Sequence, residues 1–285
     1  MKSLDFIHPD DAAALNALEK IPLLPTIVKE LMHLGAEQLQ FGLNMATKVR
    51  LSPTQLPHFY QILPPICEML GIKEPEFYLA MDPLPNAYAF GDTHTAITIT
   101  SSLVEMMTEE ELRAVVAHEC GHIACRHMLY HTLAQVLANS TGMSKNLVRL
   151  AAPIHYTLMY WQRKSELSCD RVASFIAGPK AATSMLSRLA GGPKSITLSL
   201  NLVELAEQAD LYDALCKSDG WNSTLQTYAV LDQNHPFTSV RIRELLKWTN
   251  SDQYKSLIAE GRLCPHCHQA IDDEWKFCQH CGKKL

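Results

Sequence analysis

A predominantly helical α+β fold with one small sheet and a short cysteine-bound appendage is what this chain predicts, on three observations. Apolar residues recur three and four apart over most of its 285 residues, the period of a helix with one buried face. A single stretch, EPEFYLAMDPLPNAYAFGDTHTAITIT at 74–100, instead alternates aromatic and β-branched residues with small or polar ones between turn residues, the period of a strand. Beyond residue 262 stand two Cys-x-x-Cys pairs with ten residues between them, a spacing that suits four thiolates on short turns.

Taken in order, residues from Asp11 to about Gly71 read as helices, in IVKELMHLGAEQLQFGL and LPHFYQILPPICEMLGI, interrupted by prolines at 22, 25, 53 and 57. The small sheet follows. Thr108 and Glu111 then form a capping box, with three carboxylates at the positive end of the helix dipole. That helix is expected to run without a break through LRAVVAHECGHIACRHMLYHTLAQVLA. Further helical patterns cover Asn146 to about Ala177 and Ala181 to Ala190, where GGP ends the run. An acidic amphipathic stretch continues from Ser199 to Lys217, a helix from Ser239 to Trp248, and a short helix ends near Gly261. The expected division is a helical segment at 1–75, a catalytic domain at 76–262 and a zinc ribbon at 263–285.

Composition excludes several function classes. A net charge of -5, with both signs interspersed, offers no electrostatic footprint for a nucleic acid. MKSLDFIHPDDAAAL lacks the apolar core of a signal peptide. No stretch is apolar enough to span a bilayer: the candidate between Met128 and Tyr160 is broken by Asn139, Ser140, Lys145, Asn146 and Arg149. Of nine cysteines, four are paired in sequence, while Cys67, Cys120, Cys125, Cys169 and Cys216 are scattered. Metal binding in a reducing, cytoplasmic setting accounts for this better than disulfides.

His118-Glu119-Cys120-Gly121-His122 carries the chemistry. Two imidazoles four apart share one helix face and can reach a single zinc, and Glu119 between them is placed to act as general base toward water. A catalytic zinc needs a third protein ligand. Cys125 and Met128 stand where a metzincin needs glycine and histidine, which excludes that class. No aspartate or glutamate occurs between His122 and Glu166, so Glu166 is the expected ligand. Asp170, four residues on, shares its helix face and would orient a zinc-bound histidine by accepting its far N–H. The competing assignment pairs Glu166 and Asp170 with Arg163, Lys164 and Arg171 on a solvated face. His127 and His131 are read as surface or core histidines and left out of the metal site.

Four segments in order, PNAYAFG at 85–91, TEEELRAVVAHECGH at 108–122, WQRKSELSCDR at 161–171 and HPFTSVR at 235–241, resemble the gluzincin metallopeptidases related to HtpX and the CAAX prenyl endopeptidases. The resemblance implies a zinc endopeptidase acting on extended or unfolded protein segments, as in protein quality control. It implies a sheet edge at Asn86-Ala87 that pairs with substrate, His235 as donor to the developing oxyanion, and Arg241 as a supporting charge. Cys120 and Cys169 depart from the family pattern and read as core packing. The missing membrane span is the larger departure, and it leaves only peripheral membrane contact open. An inactive or regulated scaffold that binds protein partners is the alternative, against which an intact Glu119 speaks.

Cys264, Cys267, Cys278 and Cys281 read as a structural zinc site. The 22 residues from Cys264 onward are too few to bury a core, so metal must supply most of the folding free energy. The expectation is therefore two zincs, one catalytic and one structural. Lys276, Lys283, Lys284 and Arg262 are offset by Asp272, Asp273 and Glu274, which favours a protein partner for the ribbon over nucleic acid. The ribbon and the N-terminal helices are also candidates to cover the cleft.

Overall fold

The computed structural model describes residues 5–22, 24, 35, 37–138, 145–218, 220, 237–269, 271–272 and 275–285. Helix α1 (Pro9–Glu19) opens with proline, whose missing N–H costs nothing in a first turn, and His8 Nδ1 caps it by accepting from the Asp10 amide. α2 (Glu37–Thr47), β1 (Val49–Arg50), α3 (Pro57–Tyr60) and α4 (Leu63–Leu70) follow. The strand corrects the expectation of an all-helical segment here. Two residues are too few to show a period, and what makes them a strand is pairing with Leu79 and Tyr78.

β2 (Glu76–Ala80), β3 (Ala87–Phe90) and β4 (Ala96–Thr100) complete a four-stranded sheet of order β1-β2-β4-β3. β2 and β4 are parallel, and the other pairs are antiparallel. β4 is buried along its whole length, whereas β3 lies at an edge. α5 (Ser101–Met106) leads to α6 (Glu109–Ala124), α7 (Met128–Ala138) and the long α8 (Lys145–Ala177). α9 (Pro179–Gly191), α10 (Lys194–Thr197), α11 (Leu202–Ser218), α12 (Thr238–Thr249) and α13 (Asp252–Glu260) close the helical body. The expected class, α+β with helix predominant, is the observed one.

The capping box forms as the sequence indicates: Glu111 Oε2 accepts from the Thr108 amide at 2.9 Å. Its other oxygen accepts from the Ser184 hydroxyl and from Arg188 Nε, the latter at 3.1 Å, so the cap also ties α6 to α9. The C-terminal end of α6 is a second correction. The helix stops at Ala124 instead of running on, because Arg126 adopts a left-handed φ of 61°. The Arg126 amide then donates to Ile123 O at 3.1 Å and the His127 amide to His122 O at 2.9 Å, the pattern of a Schellman stop. Gly71, with φ 64°, ends α4 by the same bonds to Glu68 O and Cys67 O. Glycine announces such a stop and arginine does not.

α6 and α8 run antiparallel at the centre of the body, in close contact. A Cβ on Gly121 would come within 3.1 Å of Cys169 Cα, so the glycine of the motif sets how near the two helices lie. Cys120 and Cys169 are both fully buried, as core packing requires. A smaller apolar cluster joins Ala14 and Leu18 of α1 to Tyr130 and Leu133 of α7 and to Leu158 and Trp161 of α8. That cluster anchors the N-terminal helix behind the motif. Among the described residues, no helix is long and apolar enough to cross a membrane.

Candidate active site

Four of the residues singled out from the sequence converge where α6 crosses α8. His118 Nε2 lies 3.3 Å from Glu166 Oε2, and His122 Nε2 lies 3.4 Å from Glu166 Oε1. Donors bound at 2.0–2.2 Å around a tetrahedral ion sit about 3.3–3.6 Å apart; each imidazole meets the Glu166 carboxylate at that spacing, so the three side chains could hold one zinc. Glu119, also buried, faces the adjoining cleft. On the far side of His118, Nδ1 donates to Asp170 Oδ1 at 3.1 Å. The solvated-face reading of Glu166 and Asp170 is thereby overturned: both are buried, and their cation is one the sequence reading placed elsewhere in the site.

That cation is Arg241 on α12. Its Nε and Nη2 grip Asp170 at 2.8 and 2.6 Å, and Nη1 meets Glu166 Oε2 at 3.0 Å. Burial would push the Asp170 carboxyl up, but the guanidinium and His118 outweigh it and hold the carboxyl below its ordinary value. Burial likewise opposes charge on His118, yet the Glu166 and Asp170 carboxylates prevail and push its pKa up to about 10. His122, governed by burial, is pushed down to about 4. The buried carboxylates of Glu166 and Asp170 thus favour positive charge at His118 and Arg241, the kind of field that also suits a bound cation.

A cleft of about 610 Å³ opens beside Glu119, His122 and Glu166. One wall is the edge strand, from Asn86 to Phe90, and the others come from α2 through Gln40, from α7 and from α8. Asn86 spends its backbone inward: its carbonyl accepts from the Thr100 amide at 3.0 Å, and its amide donates to Thr100 Oγ1 at 2.9 Å. Alternate residues turn outward, where Ala89 O is met by Gln135 Nε2 at 3.2 Å and Gly91 N by Thr132 Oγ1 at 3.0 Å. Ala87 therefore directs its backbone to the open edge. His235 lies outside the described residues. No described residue of the cysteine module lines the cleft.

In that module Cys264 Sγ and Cys281 Sγ lie 3.8 Å apart, and Cys267 Sγ and Cys278 Sγ 3.6 Å. All four sulfurs fall within 4.8 Å of one another. Tetrahedral thiolates at 2.3 Å from zinc are separated by about 3.8 Å, so the cluster fits that ion. The His266 and His280 amides each point at a sulfur, at 3.4 Å. The module docks at the far end of α8, where His268 packs on Gly178 and its Nε2 lies 3.5 Å from the Tyr254 hydroxyl.

A family model described as peptidase family M48 matches residues 61–249, and a zinc-ribbon domain model matches residues 263–285. The chain belongs to peptidase family M48. It is an M48 zinc metallopeptidase, a hydrolase of protein or peptide substrates, that carries a zinc-ribbon cysteine cluster. Over 259 residues this M48 chain is 36% identical to the plastoglobule-localized metallopeptidase 48, chloroplastic, of Arabidopsis thaliana, a match covering 89% of this chain and 75% of that protein. It is 28% identical over 262 residues to a protease HtpX homolog of Acaryochloris marina, covering 80% of this chain and 85% of that one. No solved structure matches it significantly.

The M48 site also holds residues that sequence reasoning passed over. His127 is fully buried against His122, with Nδ1 to Nδ1 at 3.3 Å, because the Schellman stop turns it back under the motif. His131 joins the cleft wall, held by Ser165 Oγ at 2.9 Å and by Gln162 Nε2 at 3.3 Å. Asp11 reaches the same place from α1, with its Oδ2 3.0 Å from His127 Nε2. Cys169 Sγ lies 3.7 Å from His127 Nδ1 and within 4.8 Å of a ring nitrogen of both His118 and His122. The only sequence signal for any of these was the spacing of His127 and His131 after the motif.

Proposed function

We propose that the chain is an endopeptidase for extended or unfolded protein segments, with its catalytic zinc held by His118, His122 and Glu166. The observation that carries this is the two imidazole nitrogens facing separate oxygens of Glu166, at 3.3 and 3.4 Å, beside an open sheet edge. When bound, the metal supplies a Lewis acid that acidifies water and polarises a carbonyl. Glu119 takes a proton from the attacking water and returns it to the leaving nitrogen. Asp170 fixes the ring of His118, and Arg241 keeps the Asp170 and Glu166 carboxylates paired while they wait for the ion.

A substrate strand adds to β3 at Ala87, with Asn86 beside it, and backbone hydrogen bonds hold it across the cleft. His235, six residues before Arg241, is the donor to the developing oxyanion. The second zinc is structural, in Cys264, Cys267, Cys278 and Cys281, and the ribbon offers a protein partner a docking module. Scattered cysteines beside that cluster favour a reducing, cytoplasmic setting, with which peripheral membrane contact is compatible. The test compares casein hydrolysis and zinc content in the wild type and Glu119→Gln. Two zincs per chain in both, with hydrolysis reduced about 10²–10⁴-fold in the variant, is expected. Hydrolysis that survives the substitution would remove Glu119 from its role.

A further inference from the structure

His118 and His122 are supported differently. His118 donates straight to a carboxylate, Asp170. His122 meets a second histidine, and only behind it stands a carboxylate, Asp11, delivered by a helix more than a hundred residues away in sequence. We propose that His127 and Asp11 form a positioning relay that fixes the tautomer and ring angle of the metal ligand His122. This rests on the zinc reading given above.

The proton arrangement follows from the contacts. His122 turns Nε2 toward Glu166, so its proton belongs on Nδ1, which donates to His127 Nδ1 at 3.3 Å. His127 must then accept on Nδ1 and carry its own proton on Nε2, 3.0 Å from Asp11 Oδ2. The reverse tautomer would set two N–H groups against each other. The approach to Asp11 is oblique, too much so for an aligned hydrogen bond, so the carboxylate acts on the ring chiefly through its charge. Cys169 Sγ, at 3.7 Å, is the other group near His127 Nδ1.

Asp11 is itself held in place. Trp161 Nε1 donates to Oδ1 at 3.1 Å, and Ser168 Oγ donates to Oδ2 at 2.5 Å. Asp11 and His127 are each only 1% exposed, and a carboxylate buried this deeply persists only where charge and hydrogen bonds answer it. The apolar cluster of α1 with α7 and α8 fixes the distance. Asp11 also lies outside residues 61–249, which the family model matches. The N-terminal helix is therefore a working part of the metal site, and it stands behind the ligands, not over the cleft.

The test measures zinc affinity of the full-length chain by competition with a chromophoric chelator, using the four-cysteine site as internal reference. Asp11→Asn keeps the shape and the Trp161 bond but removes the charge. It is expected to weaken the catalytic site about 10–100-fold, with the ribbon site unchanged and the melting temperature of the metal-free chain lowered no further than the lost Ser168 bond accounts for. His127→Leu should weaken zinc to a similar degree, and His127→Asn, whose amide oxygen can still accept from His122, should recover part of the loss. In the His127→Leu background Asp11→Asn should add nothing. Wild-type zinc affinity in Asp11→Asn, additive losses, or a loss matched by lower stability of the metal-free chain would each overturn the relay. If His118→Ala leaves the zinc content unchanged, the underlying zinc assignment fails instead, and the two failures are told apart.

Discussion

The two candidate metal centres are built in opposite ways. The ribbon gathers Cys264, Cys267, Cys278 and Cys281 from two adjoining turns, and among its described residues only Leu263, Cys264, His268 and Cys278 are buried. The proposed catalytic centre draws on α1, α6, α8 and α12, where His118, His122, Glu166, Asp170 and Arg241 are buried and each meets a group of opposite charge or a hydrogen-bonding partner. A local site can afford to wait for its metal, and a distributed one must be assembled by the fold beforehand. In the ribbon the ion organises the chain; in the active site the chain organises donors for the ion.

The largest expected effect tests that contrast directly. Stripping metal from the full chain with a chelator should abolish amide-exchange protection across 263–285, since coordination in such modules contributes on the order of 10 kcal/mol. The helices α6 and α8 should stay protected in the same sample. Joint loss of protection in both regions would erase the distinction. Next in size is Arg241→Leu, which leaves Asp170 and Glu166 buried without their cation. Denaturant unfolding should show a loss of about 3–5 kcal/mol in the metal-free chain. Added zinc should restore part of it, because the ion supplies the missing positive charge, and a loss indifferent to zinc would speak against a preassembled cation site.

The smallest effect concerns two arginines in left-handed conformation, Arg126 after α6 and Arg262 at the entrance to the ribbon, with φ of 61° and 48°. The Arg262 stop has the same bonds as the other, to Ala259 O and Ile258 O at 3.1 Å each. Glycine at either position should stabilise the helical body by about 1 kcal/mol. Thermal unfolding of Arg126→Gly should therefore move upward by a few degrees with zinc binding unchanged. A downward shift would mean that the Arg126 side chain makes a contribution larger than its backbone strain.

What was legible in advance was whatever depends on near neighbours. The motif at 118–122, the capping box at 108–111, the stop at Gly71 and the paired cysteines each act within one or two turns of chain. Glu166 was also reachable, by elimination: among 43 intervening residues none is a carboxylate. The strand at Val49–Arg50 was not, because its two residues become a strand only by meeting β2. The end of α6 was not, because arginine occupies a position where glycine would have signalled it.

The sequence alone thus determined the helical class, the motif helix, the carboxylate proposed as third ligand and the four-cysteine module, all through local periodicity, spacing and side-chain chemistry. Tertiary structure decided which charges meet. Arg241 clamps Asp170 from 71 residues away, and Asp11 reaches His127 from the far end of the chain. No pattern in the sequence joins such groups, because burial creates the pairing: a charge taken out of water must find an opposite one, and packing alone settles which is near enough.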